Sequence, residues 1–289
     1  MRALIDGDIV LYRCGYASEK DGEDIALVRT DTMLREILNE TGSDEYEIWL
    51  SDNSSNNFRY SIDPEYKANR VQPRPIHYEA IKDFLFREWN AQLALGEEAD
   101  DALGIQQTKH NLWEEENPKL NHNISIIASI DKDLLQIPGR HYNFVKKEFQ
   151  TVEYLEGVKH FYKQLLIGDT SDNVKGVDKI GKVKAGRLID PLTTEQHMFD
   201  VVRHCYNDDR RLLKNGKLLY IRRREEEIWE FPKEVHTSLE PEARSSYTPT
   251  VPREIALSTE RTTQAMAGCL APGCSMEGSI PNTQLQLTF

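Results

Sequence analysis

Short apolar runs recur along the first half of the chain, and each stops at acidic residues. Ala3-Leu4-Ile5 runs into Asp6, Ile48-Trp49-Leu50 into Ser51-Asp52, and Ile124 to Ala128 towards Asp131. Short unbroken apolar runs predict buried strands. The stretches between them carry another period. Ile81, Phe84, Leu85 and Trp89 fall on one face of a helix predicted over 76–89. A second helix is expected from Ala99 to Leu112. A third is expected over 154–166, where Leu155, Val158, Tyr162, Leu165 and Leu166 keep helical spacing. Strands alternating with helices predict an α/β sandwich around a mostly parallel central sheet. Such sheets bind ligands beyond the carboxyl ends of their strands, and that is where these acids fall.

Beyond residue 168 the pattern shortens. Gly176 to Leu188 is Gly-rich and basic, and it predicts a helix-turn-helix element. Asn215-Gly216, between Leu212-Leu213 and Leu218-Leu219-Tyr220, predicts a tight hairpin or a helix-ending turn. After Trp229-Glu230-Phe231-Pro232 the chain turns rich in Ser, Thr, Pro and Gly and loses periodicity. Residues 233–289 are therefore expected to be a disordered tail.

Composition narrows the class. The 289 residues suffice for one large domain or two small ones. No apolar run approaches the roughly 18 residues of a membrane helix, and the N-terminus lacks the plan of a signal peptide. A cytoplasmic monomer without membrane contact is expected. Cys14, Cys205, Cys269 and Cys274 show no ligand-like spacing and are expected to be free thiols. The net charge of −12 argues against a general nucleic-acid coat. Basic residues nevertheless cluster, first at Lys175, Lys179, Lys182, Lys184 and Arg187, then from Arg210 to Arg224.

The acidic clusters carry the chemistry. They are Asp6-Gly7-Asp8, Asp52, Glu97-Glu98-Ala99-Asp100-Asp101, Asp131-Lys132-Asp133 and Asp169-Thr170-Ser171-Asp172. Each alone reads equally well as a helix cap or turn. A cap needs only one carboxylate, however, and several clusters hold more. Carboxylates brought together repel one another unless cations sit between them. Two hard divalent ions such as Mg²⁺ would suit so many oxygen donors and would act on phosphate. In the helical cluster Glu98 or Glu97 could share a face with Asp101, so spacing leaves the register open. Pro64-Glu65-Tyr66-Lys67-Ala68-Asn69-Arg70 adds a Lys and an Arg able to stabilise charge on a scissile phosphate, and a Tyr able to stack on a terminal base. Gly176 and Gly181 would let backbone approach a phosphate or an ion.

This ordered set resembles the 5′-nuclease family of flap endonucleases and 5′→3′ exonucleases. The motifs are IDGD, WLSD, PEYKANR, EADD at 98–101, DKDLLQIPG at 131–139 and GDTSDNVKGVDKIG at 168–181. The resemblance covers about residues 1–232, and its short arch is most similar to the phage exonuclease branch. It implies a PIN-like three-layer sandwich over 1–167 and a helix-hairpin-helix-like DNA-binding region over 168–232. It also implies metal ligands at Asp6, Asp52, Glu98, Asp100, Asp101, Asp131, Asp133, Asp169 and Asp172, favouring Glu98 over Glu97. Lys67 and Arg70 would contact the reacting phosphate. DNA contacts would come from Tyr66, Lys67, Arg70, Lys175, Gly176, Val177, Ile180, Gly181, Lys182 and Lys184. Two Mg²⁺ ions, replaceable by Mn²⁺, are implied as cofactors. The family's K⁺ at the hairpin is also implied, but Asp178-Lys179 stands where a Pro-Gly pair is commoner, which argues against it. The implied substrates are duplex DNA with 5′ ends or flaps, and RNA–DNA hybrid, in phage replication or recombination. Rival expectations are a PIN-type ribonuclease on single-stranded RNA and a non-catalytic branched-DNA binding protein.

Overall fold

The computed structural model of the chain describes residues 1–52, 56–117, 119 and 124–233. Of the expected tail over 233–289, residues 234–289, with Cys269 and Cys274, lie outside the described residues. Met1–His236 form one compact unit spanning the 1–167 and 168–232 segments.

The central sheet consists of β1 (Arg2–Asp6), β2 (Glu45–Ser51), β3 (Gln92–Ala94), β4 (Ser125–Ala128), β5 (Gly139–Asn143) and β6 (Glu148–Val152). Their spatial order is 3-2-1-4-5-6, and all neighbours are parallel except β5 and β6. The apolar runs are strands because both sheet faces are covered. Ala3 and Ile5 point into a core with Val10, Leu34 and Ile81. Leu4 points the other way, beside Leu103, Ile127 and Ile221.

Helices α1 (Gly7–Ala17), α2 (Glu23–Thr41) and α4 (Tyr78–Glu88) pack together and supply the first core, while α5 (Ala99–Glu116) packs on β1, β2 and β4 and supplies the second. The short α3 (Phe58–Ile62) precedes the Tyr66–Arg70 segment. The result is a three-layer α/β sandwich. Its strand order reverses between β1 and β4, so a crevice opens beyond their carboxyl ends.

A further cluster of apolar side chains joins α6 (Tyr154–Ile167), α7 (Lys182–Ile189), α8 (Glu195–Tyr206) and α9 (Asp209–Leu219). Between α6 and α7 lies a small hairpin of β7 (Gly168–Asp169) and β8 (Val174–Lys175). The 176–188 segment therefore holds one helix, α7, and not the pair expected; α6 is its nearest helical predecessor. Asn215-Gly216 is not a turn but lies inside α9. Gly216 is needed there because the Trp229 ring lies against its Cα, where a Cβ would collide. Asn215 faces inward and bonds Tyr206 and the Lys175 carbonyl. Among the described residues no helix is long and apolar enough to cross a membrane.

Candidate active site

Each acidic cluster sits where a strand or hairpin delivers it. Asp6 ends β1 and also caps α1, with Oδ1 accepting from the Ile9 N–H at 3.1 Å. Its Oδ2 accepts from Ser129 Oγ at 2.7 Å, beyond the end of β4. Ser129 Oγ in turn accepts from the Asp131 N–H at 3.0 Å, which ties the β1 and β4 ends together. Gly7 has no room for a Cβ, which would meet the Trp49 carbonyl at 2.6 Å. That close approach brings Asp8 to the end of β2, where its Oδ2 accepts from the Ser51 N–H at 3.1 Å. Ser51 Oγ accepts from the Ala99 N–H at 2.9 Å and anchors the start of α5, with Glu98 as its N-cap. In the β7–β8 turn Asp169 Oδ1 collects the N–H groups of Ser171 and Asp172 at 2.7 and 3.2 Å.

One cleft of about 500 Å³ gathers the result. Its walls carry eight carboxylates, from Asp6, Asp8, Glu98, Asp100, Asp131, Asp133, Asp169 and Asp172. Lys67 and Arg70 line it too, with Lys67 Nζ 2.5 Å from Glu98 Oε1 and 3.8 Å from Asp172 Oδ2. Arg70 Nη2 lies 2.6 Å from Asp172 Oδ1. Lys67 takes a left-handed φ of 57°, rare for a side chain of its size, while its N–H donates to the Asp172 carbonyl. Among the described residues no three His, Cys, Asp or Glu side chains form a ready-made metal cage. The acids are spread around the cleft, and the two cations reach in among them.

Electrostatics test whether divalent ions suit this donor set. Burial pushes Asp6 up to about 7, aided by the charges of Asp8 and Asp131 and opposed by its bonds from Ser129 and Ile9. Burial and then the charges of Asp131 and Asp169 push Asp133 to about 7. Asp100 is raised well above the usual range by burial and by Asp131, Asp6 and Glu98. Burial also raises Asp8 and Asp131. Glu98 goes the other way. Burial opposes its charge, but Lys67 and Arg59 override it and hold Glu98 at about 2. At Asp8, Asp100 and Asp131 the pull of Lys67 is outweighed by burial, so these acids are left short of countercharge. All donors are hard oxygens, so divalent cations fit the cleft.

Several residues expected in the site are elsewhere. Asp52 is buried and does not line the cleft; its Oδ2 accepts from the Gly96 N–H at 3.1 Å and holds the loop leading to α5. Asp8, which reads as a cap in the sequence, occupies the cleft instead. Asp101 is fully buried and faces the Arg59 guanidinium, with Arg59 Nη2 2.9 Å from Oδ1. It also accepts from the N–H groups of Glu98 and Arg222, each at 3.1 Å, so its oxygens are taken by protein donors. Glu97 pairs with Arg222 at 2.8 Å, whereas Glu98 lines the cleft.

Tyr66 is 2 % exposed and cannot stack on a base. Its hydroxyl donates to Asp172 Oδ2 at 2.7 Å and lies 3.2 Å from Glu98 Oε2. Asn57 and Tyr60 also line the cleft and were not foreseen. Asn57 is the N-cap of α3 and Tyr60 lies within it, and nothing in their sequence context marks them.

In the 175–184 segment Gly176 and Ile180 are buried and Val177 is half-buried against the same core, so they shape the turn. Lys175, Gly181 and Lys182 are exposed and Lys184 is half-exposed, and these present the segment to solvent. The carbonyls of Lys175 and Gly176 both accept from the Arg211 guanidinium, and Asn215 Nδ2 adds a second bond to Lys175 O at 2.9 Å. A potassium ion bound through these carbonyls does not fit.

Residues 1–163 match the family described as 5′-3′ exonuclease, N-terminal resolvase-like domain. A 5′-3′ exonuclease of Buchnera aphidicola subsp. Schizaphis graminum is 28% identical over 233 residues, covering 74% of this chain and 78% of its own. DNA polymerase I of Caldicellulosiruptor bescii is 27% identical over 241 residues, which is 74% of this chain but 27% of that one. Among solved structures, bacteriophage T5 5′-exonuclease with bound zinc has a TM-score of 0.53 at 15% identity, covering 76% of this chain and 89% of its own. A bacteriophage T5 flap endonuclease in a pseudo-enzyme-product complex with DNA and metal ions has a TM-score of 0.53 at 14% identity, covering 75% and 88%. With more than half its length matched by the family's nuclease domain, the chain belongs to the 5′-3′ exonuclease family of hydrolytic nucleases.

Proposed function

We propose that this protein is a divalent-metal-dependent nuclease that hydrolyses duplex DNA from 5′ ends and accepts 5′ flaps. The observation that carries this reading is the gathering of eight carboxylates with Lys67 and Arg70 in one cleft at the sheet's switch point. Asp6, Asp8, Glu98, Asp100, Asp131, Asp133, Asp169 and Asp172 would hold two Mg²⁺ ions, with Mn²⁺ as a substitute. Bound there, such ions supply Lewis acidity at water and phosphate.

The chain's own groups do the rest. Burial lowers the Lys67 pKa, but Glu98 and Asp172 outweigh it and keep the ammonium protonated. Lys67 is therefore a charge donor to phosphate and not a general base. Arg70 is likewise raised by Asp172 against its burial, and its planar fork suits phosphate oxygens. An incoming phosphate would compete with Glu98 and Asp172 for these two cations. Tyr66, anchored to both acids, fixes the backbone that carries Lys67. Lys175, Gly181, Lys182 and Lys184 would hold the duplex through its backbone, so sequence preference is slight.

This basic surface beside α7 favours a duplex over single-stranded RNA. The eight carboxylates gathered in the cleft favour an enzyme over a branched-DNA binding protein. An RNA–DNA hybrid fits the same backbone-only contacts, and a monomer acting in replication or recombination fits the reading. A duplex labelled at either end tests it. Terminal 5′ nucleotides should appear with Mg²⁺ and cease with EDTA; cleavage undiminished in EDTA, or confined to single-stranded RNA, defeats the reading.

A further inference from the structure

The turn that would present the duplex-binding segment already carries a cation of the chain's own. Asp208 caps α9, accepting from the N–H groups of Arg210 and Arg211 at 3.1 Å each, so Arg211 sits in a fixed first turn. Its guanidinium lies 5.4 Å from the Tyr206 ring centroid and donates from one Nη to the carbonyls of both Lys175 and Gly176. One turn on, Asn215 Nδ2 donates to Lys175 O and to Tyr206 Oη, each at 2.9 Å. Tyr206 Oη donates to Leu165 O at 2.6 Å, at the end of α6. The opposite side of the turn is closed as well. A Cβ on Gly176 would collide with the Ile167 carbonyl and the Gly168 nitrogen.

A carbonyl oxygen offers two lone pairs. Lys175 O already takes two donors, and Gly176 O takes Arg211. A potassium ion needs several carbonyls to replace its hydration shell, and this turn has committed two. A guanidinium is charged at every working pH and cannot be washed out. We infer that Arg211 is the built-in cation of this turn, holding it in its binding shape and making duplex binding independent of which monovalent cation is present. The inference rests on the duplex-binding reading above.

The test measures duplex anisotropy with EDTA present, at constant ionic strength in potassium, sodium or tetramethylammonium chloride. The full chain should bind equally in all three. Arg211→Ala should bind roughly tenfold more weakly in tetramethylammonium, and potassium should specifically recover part of the loss. Arg211→Lys, which keeps the charge but not the fork, should fall between. Tighter wild-type binding in potassium overturns the assignment, as does Arg211→Ala binding that matches wild type.

Melting curves need no DNA and separate this idea from its premise. Arg211→Ala should melt lower than wild type in tetramethylammonium, with recovery specific to potassium; equal curves in all salts overturn the inference. Wild type that fails to bind duplex in every salt defeats the duplex-binding reading, while the melting curves still decide the arginine.

Discussion

Arg59 grips the Asp101 carboxylate in the protein interior, at 2 % and 0 % exposure respectively. The same guanidinium donates to the carbonyls of Leu218 and Tyr220, each at 2.9 Å. Asp101 also accepts from the Arg222 N–H. The pair thus ties α3, the start of α5 and the chain beyond α9 into one joint, directly behind Glu98 and Asp100. Breaking a buried pair leaves a charge without a partner and costs about 3–5 kcal/mol. Asp101→Ala and Arg59→Ala should each lower unfolding stability by that order in urea titrations. Asp101→Asn that still folds should keep divalent-ion binding, whereas Asp131→Asn should lose cleavage and keep measurable DNA binding.

Lys67 is expected to have two opposing effects. Its ammonium neutralises Glu98 and, more weakly, Asp172. Lys67→Ala should therefore tighten divalent-ion binding in calorimetry, because a competitor for those oxygens is gone. Single-turnover cleavage should nevertheless fall by on the order of 10²–10³-fold, the scale for loss of a charge donor to a transition state.

The raised acids set a pH dependence with a definite sign. Asp6 and Asp133 sit at about 7, above the usual carboxylate range of roughly 4. Between those values the folded protein binds more protons than the unfolded chain, so this contribution to stability falls as pH rises and levels off above about 7. Melting temperature without divalent ions should follow that course. Mg²⁺ should raise it more at about pH 8 than at about pH 5, on either side of that midpoint. Asp133→Asn should raise the metal-free melting temperature at the higher pH and shrink the shift caused by Mg²⁺.

Gly216 offers a test in which helix propensity predicts the wrong sign. Replacing an interior helical glycine by alanine ordinarily gains about 1 kcal/mol. Here the new methyl would overlap the Trp229 ring. Overpacking costs typically about 1–3 kcal/mol, so Gly216→Ala should show a net loss in urea unfolding. Trp229 fluorescence should change with it.

The strands and long helices are legible in the sequence because burial acts locally on the chain. A strand covered on both faces must be apolar at successive positions, as at Ala3-Leu4-Ile5 and Ile126-Ile127-Ala128, and α6 repeats its apolar face at every turn. The acids after these runs mark the sheet's functional edge for the same reason, since a carboxylate is tolerated only where the buried strand ends. Which acids share the cleft is a different matter. Asp8 enters it because Gly7 lets α1 close on β2, while Asp101 leaves it because Arg59, 42 residues earlier, reaches its carboxylate first. Tyr66 sits beside Lys67 in sequence yet is buried under Asp172, 106 residues away. Gly216 reads as a turn until Trp229 is seen lying on it. Patterning specifies the elements and the supply of charge; partner choice follows from distances across the fold, which no local spacing encodes.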